Sequence, residues 1–248
     1  MVKPERKKIS LTAEIAYIAI TCALLIGAQF VFSFVAGVEI VTVILIAFSF
    51  SFGVRRGAIC AVAFSLLRCF VFGFYPTVII LYLIYYPLLA AVSGLLGRCK
   101  SFSSPICLIA LNAALICAAA VCAACYFTDA IKVAEIYAVT VKVLLWVVFA
   151  LCIGLCAIYD FVFFSAVKGR YETLKIIVVA SAGAAMTVIF TLFDDIITPL
   201  IFGYSKLTAL AYFYASFTAM LPQTVCAAVT CATLFGPLTA VMKKAAAR

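Results

Sequence analysis

Residues 11–34 read LTAEIAYIAITCALLIGAQFVFSF, an apolar run whose only charged residue is Glu14. A run of this length matches the roughly 20 residues that an α-helix needs to cross a bilayer. Seven further apolar segments follow it, at about 39–53, 57–74, 78–97, 105–127, 136–160, 175–193 and 207–236. The sequence therefore predicts an all-α, polytopic transmembrane helical bundle of about eight spans, which forms a single membrane domain over residues 1–248.

The composition excludes several classes of protein. Of the 248 residues, 69% are hydrophobic and only 11% are charged, and this excludes a water-soluble domain. The chain has no His, so the common zinc spacings and the serine triads are not available to it. The net charge of +9 does not indicate a nucleic-acid partner, because in a membrane protein the position of each cation matters more than their sum. We expect no metal, no cofactor and no catalysis.

The distribution of Lys and Arg predicts the orientation. If the chain starts inside and crosses eight times, 14 of the 18 cations fall on the starting side. Positive charge marks the cytoplasmic side, so both termini and the basic tail at 1–10 are expected there, in a multi-pass protein of the bacterial cytoplasmic membrane. These cations are Lys3, Arg6, Lys7, Lys8, Arg55, Arg56, Arg98, Lys100, Lys168, Arg170, Lys175, Lys243, Lys244 and Arg248.

Arg68 is the clearest functional candidate. It lies within the third predicted span, where an ionisable residue costs at least about 2.5 kcal/mol unless it faces protein or water. Two interpretations remain open. Either its guanidinium anchors an anionic or polar ligand that enters from outside, or it forms a structural ion pair in the outer layer of the bundle. The acids predicted in that layer are Glu39, Asp194 and Asp195.

The pair Asp194 and Asp195 ends the seventh predicted span. Adjacent residues on a helix face different directions, so we expect one acid to point into the bundle and the other to meet water. The following apolar run at 196–202 is too short to cross a membrane and contains Pro199. It is expected to form either a half-helix or re-entrant loop over an outer cavity, or a solvated loop.

Polar aromatic residues are concentrated on the predicted outer side. They form either an interfacial belt, which needs no ligand, or the walls of a site for a flat heterocycle. Gln223, next to Pro222, is a further polar candidate, or else it repairs the backbone hydrogen bonds that the proline removes. The tyrosines are Tyr75, Tyr82, Tyr85, Tyr86, Tyr212 and Tyr214.

Small residues recur at helical spacing on the first span. Ala19, Ala23 and Gly27 follow one another every four residues. Such a face lets another helix approach closely, either in a partner subunit or within this chain.

The chain contains several short motifs in the same order as one transporter family. They are Gly37-Val38-Glu39-Ile40, Phe52-Gly53-Val54-Arg55-Arg56-Gly57-Ala58, Tyr86-Pro87-Leu88-Leu89, Gly94-Leu95-Leu96-Gly97, Pro222-Gln223 and Phe235-Gly236-Pro237-Leu238. In this arrangement the chain resembles the substrate-binding S component of energy-coupling factor vitamin transporters. The resemblance covers about 11–97 and 175–243.

The resemblance implies a six-helix core, in which case the stretch 105–165 is an added helical hairpin. It also implies that the outer loop around Glu39 caps the ligand. The face at Ala19 and Ala23 would dock on a transmembrane coupling subunit that works with ATPase subunits. The sequence has no phosphate-binding Gly-rich loop followed by Lys and Ser or Thr, so energy would come from those partners.

The expected function is therefore capture of a small vitamin-like molecule for uptake. The alternative is an autonomous secondary transporter or channel in which Arg68 and either Asp194 or Asp195 couple to ions. A third class, an intramembrane enzyme, has only Asp160 and that acidic pair, at opposite predicted faces, whereas paired acid catalysis needs them close together.

The orientation gives a direct prediction. A cysteine introduced at Ser10 should be protected from an impermeant thiol reagent added outside intact cells, and a cysteine at 98–104 should be protected in the same way. Labelling of Ser10→Cys from outside would reverse the topology.

Overall fold

The structure is a computed structural model that describes residues 10–35, 38–98 and 171–246, with scattered positions between 112 and 161. These residues are all-helical and contain no strand, so the predicted fold class is confirmed for this part of the chain. The helices with printed bounds are α1 (Leu11–Phe32), α2 (Val41–Phe52), α3 (Val54–Phe72), α4 (Pro76–Arg98), α5 (Tyr171–Phe202) and α6 (Lys206–Ala246).

The chain contains two compact units. One comprises Met1–Lys100 with Val178–Arg248, and the other comprises Ser101–Ile177. Most of the added hairpin expected at 105–165 lies outside the described residues, as do residues 1–9 of the basic tail and residues 36–37.

Four described helices are long and apolar enough to cross a membrane. They are Leu11–Phe32, Pro76–Arg98, Lys175–Phe202 and Lys206–Ala245. Several such helices in one chain indicate a membrane-embedded protein. The count of eight spans stays a prediction.

Helix α2 is the core of the first unit. It has 12 residues, and every residue from Val41 to Phe50 is buried. Helices α1, α3, α4 and α6 all contact it. A helix that is hydrophobic on every side is stable only when other elements cover it on every side, and that is the position α2 occupies.

Glycines allow the neighbours of α2 to approach its backbone. Gly53 alone joins α2 to α3, with φ +91°, a conformation that glycine adopts readily. Helix α3 then folds back along α2, so that Gly57 lies directly against Ser49. On α4, Gly94 packs against the backbone of Val54 and Gly97 against the carbonyl of Phe50.

Five of the cations predicted to be cytoplasmic gather at the end of the first unit where α2 meets α3. Arg56 forms an ion pair with Glu14 of α1 at 3.2 Å. The Tyr17 hydroxyl donates to the carbonyl of Ala245 at 2.9 Å, which brings the C-terminal end of α6 to the same place. The five residues are Arg55, Arg56, Arg98, Lys243 and Lys244.

The half-helix or loop expected at 196–202 is wrong. Helix α5 continues through Pro199 and ends at Phe202. Gly203, with φ +61°, follows it. Side-chain bonds hold the turn around the proline, because the Thr198 hydroxyl donates to Asp194 at 2.7 Å and Asp194 is itself bonded to α6. Helix α6 also continues to Ala246, ten residues beyond the end predicted at 236, and Pro237 lies inside it.

We predict that Gly94→Ala lowers the free energy of unfolding by about 1–3 kcal/mol, the usual cost of overpacking. The added methyl would lie 2.6 Å from the backbone nitrogen of Val54, which cannot move freely. Thermal unfolding in detergent measures the effect. Gly236→Ala is the matched control, because nothing lies within 4 Å of its added methyl and the stability should not fall. Equal stability of the two variants would contradict the close packing of α4 on the start of α3.

Candidate functional site

A cavity of about 290 Å³ lies at the N-terminal end of α2, away from the cation-rich end. The five helices α1, α3, α4, α5 and α6 and the loop at 38–40 also contribute residues to its wall. The lining comprises Ala28, Gln29, Phe32, Ser33, Val35, Val38, Glu39, Ile40, Val41, Thr42, Arg68, Phe72, Tyr82, Tyr85, Thr187, Phe190 and Gln223. Five residues expected to bind substrate are among them: Glu39, Arg68, Tyr82, Tyr85 and Gln223.

Arg68 lies between two aromatic rings of this wall. Its guanidinium carbon is 4.4 Å from the centre of the Tyr82 ring and 4.9 Å from that of Phe72. Its Nε is buried and donates to no acceptor. Among the residues that the structure describes, no carboxylate comes within 4.0 Å of its side chain. The structural ion pair with Glu39, Asp194 or Asp195 is therefore not formed in this arrangement, and the rings of Tyr82 and Phe72 contact the charge instead.

Tyr82 is held from two sides. The Gln29 side chain on α1 donates from Nε2 to the Tyr82 hydroxyl at 3.1 Å. The Ser65 hydroxyl on α3 donates to the Tyr82 backbone carbonyl at 3.1 Å. The other end of the Gln29 amide, Oε1, is buried and has no hydrogen-bond partner. Leaving a buried polar atom without a hydrogen-bond partner costs about 1–3 kcal/mol of stability. The Oε1 atom of Gln29 is such an atom in the cavity wall.

Glu39 precedes α2 and caps it. Its carboxylate Oε1 accepts from the backbone N–H of Thr42 at 3.1 Å and from the Thr42 hydroxyl at 2.9 Å. The Thr230 hydroxyl on α6 donates to the Glu39 carbonyl at 3.1 Å, which fixes the loop against that helix. One carboxylate oxygen is thus committed to the helix start rather than to a ligand.

Aromatic rings form the floor of the cavity. The Phe190 ring of α5 lies 4.8 Å from Tyr85 and 5.8 Å from Tyr82, measured between ring centres. Tyr86 packs beneath them, 4.8 Å from Tyr82 and 5.1 Å from Phe64. Tyr86 is therefore a supporting residue, since it does not line the cavity.

The predicted acids lie in a separate network between α5 and α6. The Tyr212 hydroxyl donates to Asp194 at 2.7 Å, and the Ser216 hydroxyl donates to Asp195 at 2.8 Å. Both carboxylates therefore bond to α6, whereas the sequence predicted that only one would face the bundle. Neither acid lines the cavity, and Tyr212 does not either.

Two other groups of predicted residues lie at the surface. Tyr75 is 60% exposed and does not line the cavity, which favours the interfacial-belt interpretation for it. On α1, Ala19, Ala23 and Gly27 are exposed, whereas Cys22 and Leu25 on the opposite side are buried. The part of the chain that the structure describes thus does not cover the small-residue face.

Sequence reasoning missed Gln29, Thr42, Thr187 and Phe190 as cavity residues. Gln29 carried a usable signal, because an amide within an apolar span is as unusual as a charge. Phe190 carried none, since phenylalanine is common in this chain and only the packing of α5 on α4 brings it to the site.

No protein-family model, curated protein or solved structure matches the chain. No group of three or more His, Cys, Asp or Glu among the described residues is arranged to hold a metal ion.

We predict that Arg68→Gln and Asp194→Ala have additive effects on the free energy of unfolding, within about 0.5 kcal/mol, because the two side chains share no contact. Asp194→Ala alone should cost about 1–3 kcal/mol, since it removes the acceptor for Tyr212. Denaturant unfolding in mixed micelles measures both. The control pair is Asp194→Ala with Tyr212→Phe, which share one hydrogen bond and should not be additive. Rescue of Arg68→Gln by Asp194→Ala would contradict the separation of the two sites.

Proposed function

We propose that this protein is a membrane-embedded substrate-capture subunit that binds a small vitamin-like molecule in the cavity at the start of α2. The observation that carries the proposal is a cavity of about 290 Å³ whose wall contains an Arg that no described carboxylate pairs with. Ligand sites are typically concave, mostly apolar and provided with a few polar groups that orient the ligand, and this cavity has those properties.

The charge distribution supports uptake from outside. The cavity lies at the opposite end of the first unit from Arg55, Arg56, Arg98, Lys243 and Lys244. The positive-inside rule assigns that cation-rich end to the cytoplasm of a bacterial cell membrane. The cavity then faces the outer half of the bilayer, with both termini inside.

The exposed small-residue face supports a partner. Ala19, Ala23 and Gly27 leave the backbone of α1 accessible, and nothing lies within 4 Å of a methyl added at Gly27. Within a membrane, close backbone approach is a main source of helix association. We propose that this face docks on a transmembrane coupling subunit energised by ATPase subunits, as the resemblance to S components implies.

The alternative is an autonomous secondary transporter or channel, in which Arg68 and either Asp194 or Asp195 couple to ions. Uptake of a substrate by the purified chain alone in liposomes would favour this alternative and overturn the capture function.

We predict that the full chain, purified in mild detergent, retains a small molecule that mass spectrometry detects, and that Ala28→Phe abolishes this retention. Ala28 lines the cavity, and a benzyl group there would occupy the ligand volume. Ile20→Phe is the matched control, because Ile20 is 65% exposed on the same helix and its change should leave retention intact. An unchanged unfolding temperature shows that Ala28→Phe still folds. Retention by a folded Ala28→Phe protein would mean that the molecule binds elsewhere.

A second variant separates the ligand from the partner. Ala23→Leu adds bulk to the exposed face of α1, so it should reduce co-purification of membrane partners several-fold while ligand retention stays at the wild-type level. Loss of both properties in Ala23→Leu would indicate misfolding and remove the support for a docking face.

A further inference from the structure

Arg68 is half-buried in the cavity wall, and no carboxylate in the described part of the protein pairs with its charge. A guanidinium is always protonated, and transfer of a charge out of water is costly unless an acceptor meets it. The rings of Phe72 and Tyr82 contact the guanidinium as cation–π partners, and such contacts compensate a charge less than a paired carboxylate does. The buried Nε also has no acceptor among the described residues, so it can donate to an anionic occupant.

Glu39 is the other charged residue in the cavity wall, and it does not provide that group. Its Oε1 accepts two bonds from Thr42, and the side chain is more than 4.0 Å from Arg68. The hydroxyls of Tyr82 and Tyr85 are the remaining titratable groups in the lining, and a tyrosine is neutral near pH 7. The positive charge at Arg68 therefore stays available to an occupant.

Size and shape restrict the occupant further. The cavity volume of about 290 Å³ lies at the lower end of the range for small-molecule sites, about 300–1,000 Å³. The partly exposed rings of Phe72 and Phe190 line the cavity together with the buried rings of Tyr82 and Tyr85, so a planar ring system finds apolar ring surface there. A phosphate carries about two negative charges at neutral pH, and one Arg beside a Glu is a poor match for it.

We infer that the occupant is a small planar aromatic or heteroaromatic carboxylate, whose carboxylate binds the Arg68 guanidinium while its ring stacks within the aromatic walls. The Oε1 atom of Gln29, which has no hydrogen-bond partner among the described residues, then accepts a hydrogen bond from a polar substituent on the ring. This inference rests on the proposed capture function and adds the chemical class of the substrate to it.

The test uses a mixture of defined probes and the full purified chain. The mixture holds equal amounts of mono- and bicyclic aromatic carboxylic acids, their carboxamides and the matching phosphate esters. After incubation and desalting, mass spectrometry measures what the protein retains. We expect at least a tenfold preference for an acid over its own amide, equivalent to about 1.4 kcal/mol. Arg68→Gln should abolish the preference, and the control Arg55→Gln, at the opposite end, should keep it.

The outcomes separate this inference from the capture function. Preferential retention of amides or phosphate esters, or an acid preference that survives Arg68→Gln, overturns the carboxylate assignment and leaves capture intact. Retention of none of the probes, together with no molecule retained from the cells, overturns both. Because unfolding temperature is measured for each variant, a folding failure of Arg68→Gln is recognised. In that case Arg68→Lys, which keeps the charge but lacks the planar fork, should reduce the preference instead.

Discussion

The short length of α2 is the constraint on which the rest of the first unit depends. Twelve residues give about 18 Å of helix, whereas the hydrocarbon core of a bilayer is about 30 Å thick. The C-terminal end of α2 leads through Gly53 into α3, whose Arg55 and Arg56 lie at the cation-rich end. In the proposed orientation that end is cytoplasmic, so the N-terminal end of α2 stops within the membrane. The space beyond that end is filled by the Glu39 loop and the cavity. Polar groups are tolerated there because protein, rather than lipid, surrounds them.

Burial of α2 also explains how the site is kept in shape. Helices α1, α3, α4 and α6 each pack on α2, and Gly57 and Gly97 let α3 and α4 approach it closely, so there is little freedom for relative movement. Arg68, Tyr82 and Gln29 come from three of these helices and meet above the same helix end. Their geometry is therefore set by the core and not by a flexible loop. A site on rigid helices is suited to selecting one ligand.

The sequence predicted the local features well and the tertiary ones less well. The ends of α1 to α4 lie within a few residues of the predicted segments because composition and glycine mark them. Arg68 was found because a charge within an apolar span is unusual whatever its neighbours. Asp194 was expected near Arg68 only because both belong to the outer layer, and a shared depth does not specify which helix faces lie together. Pro199 predicted a break, but side-chain bonds across the turn allow the helix to continue.

An experimental density map of the full chain, purified without denaturant, tests the central claim most directly. The account predicts density for a small molecule in the cavity, with one end against the Arg68 guanidinium and its flat part beside Tyr82. The guanidinium should have no carboxylate partner from the protein. A map in which Arg68 is paired with Glu39, Asp194 or Asp195 and side chains fill the cavity would contradict the account.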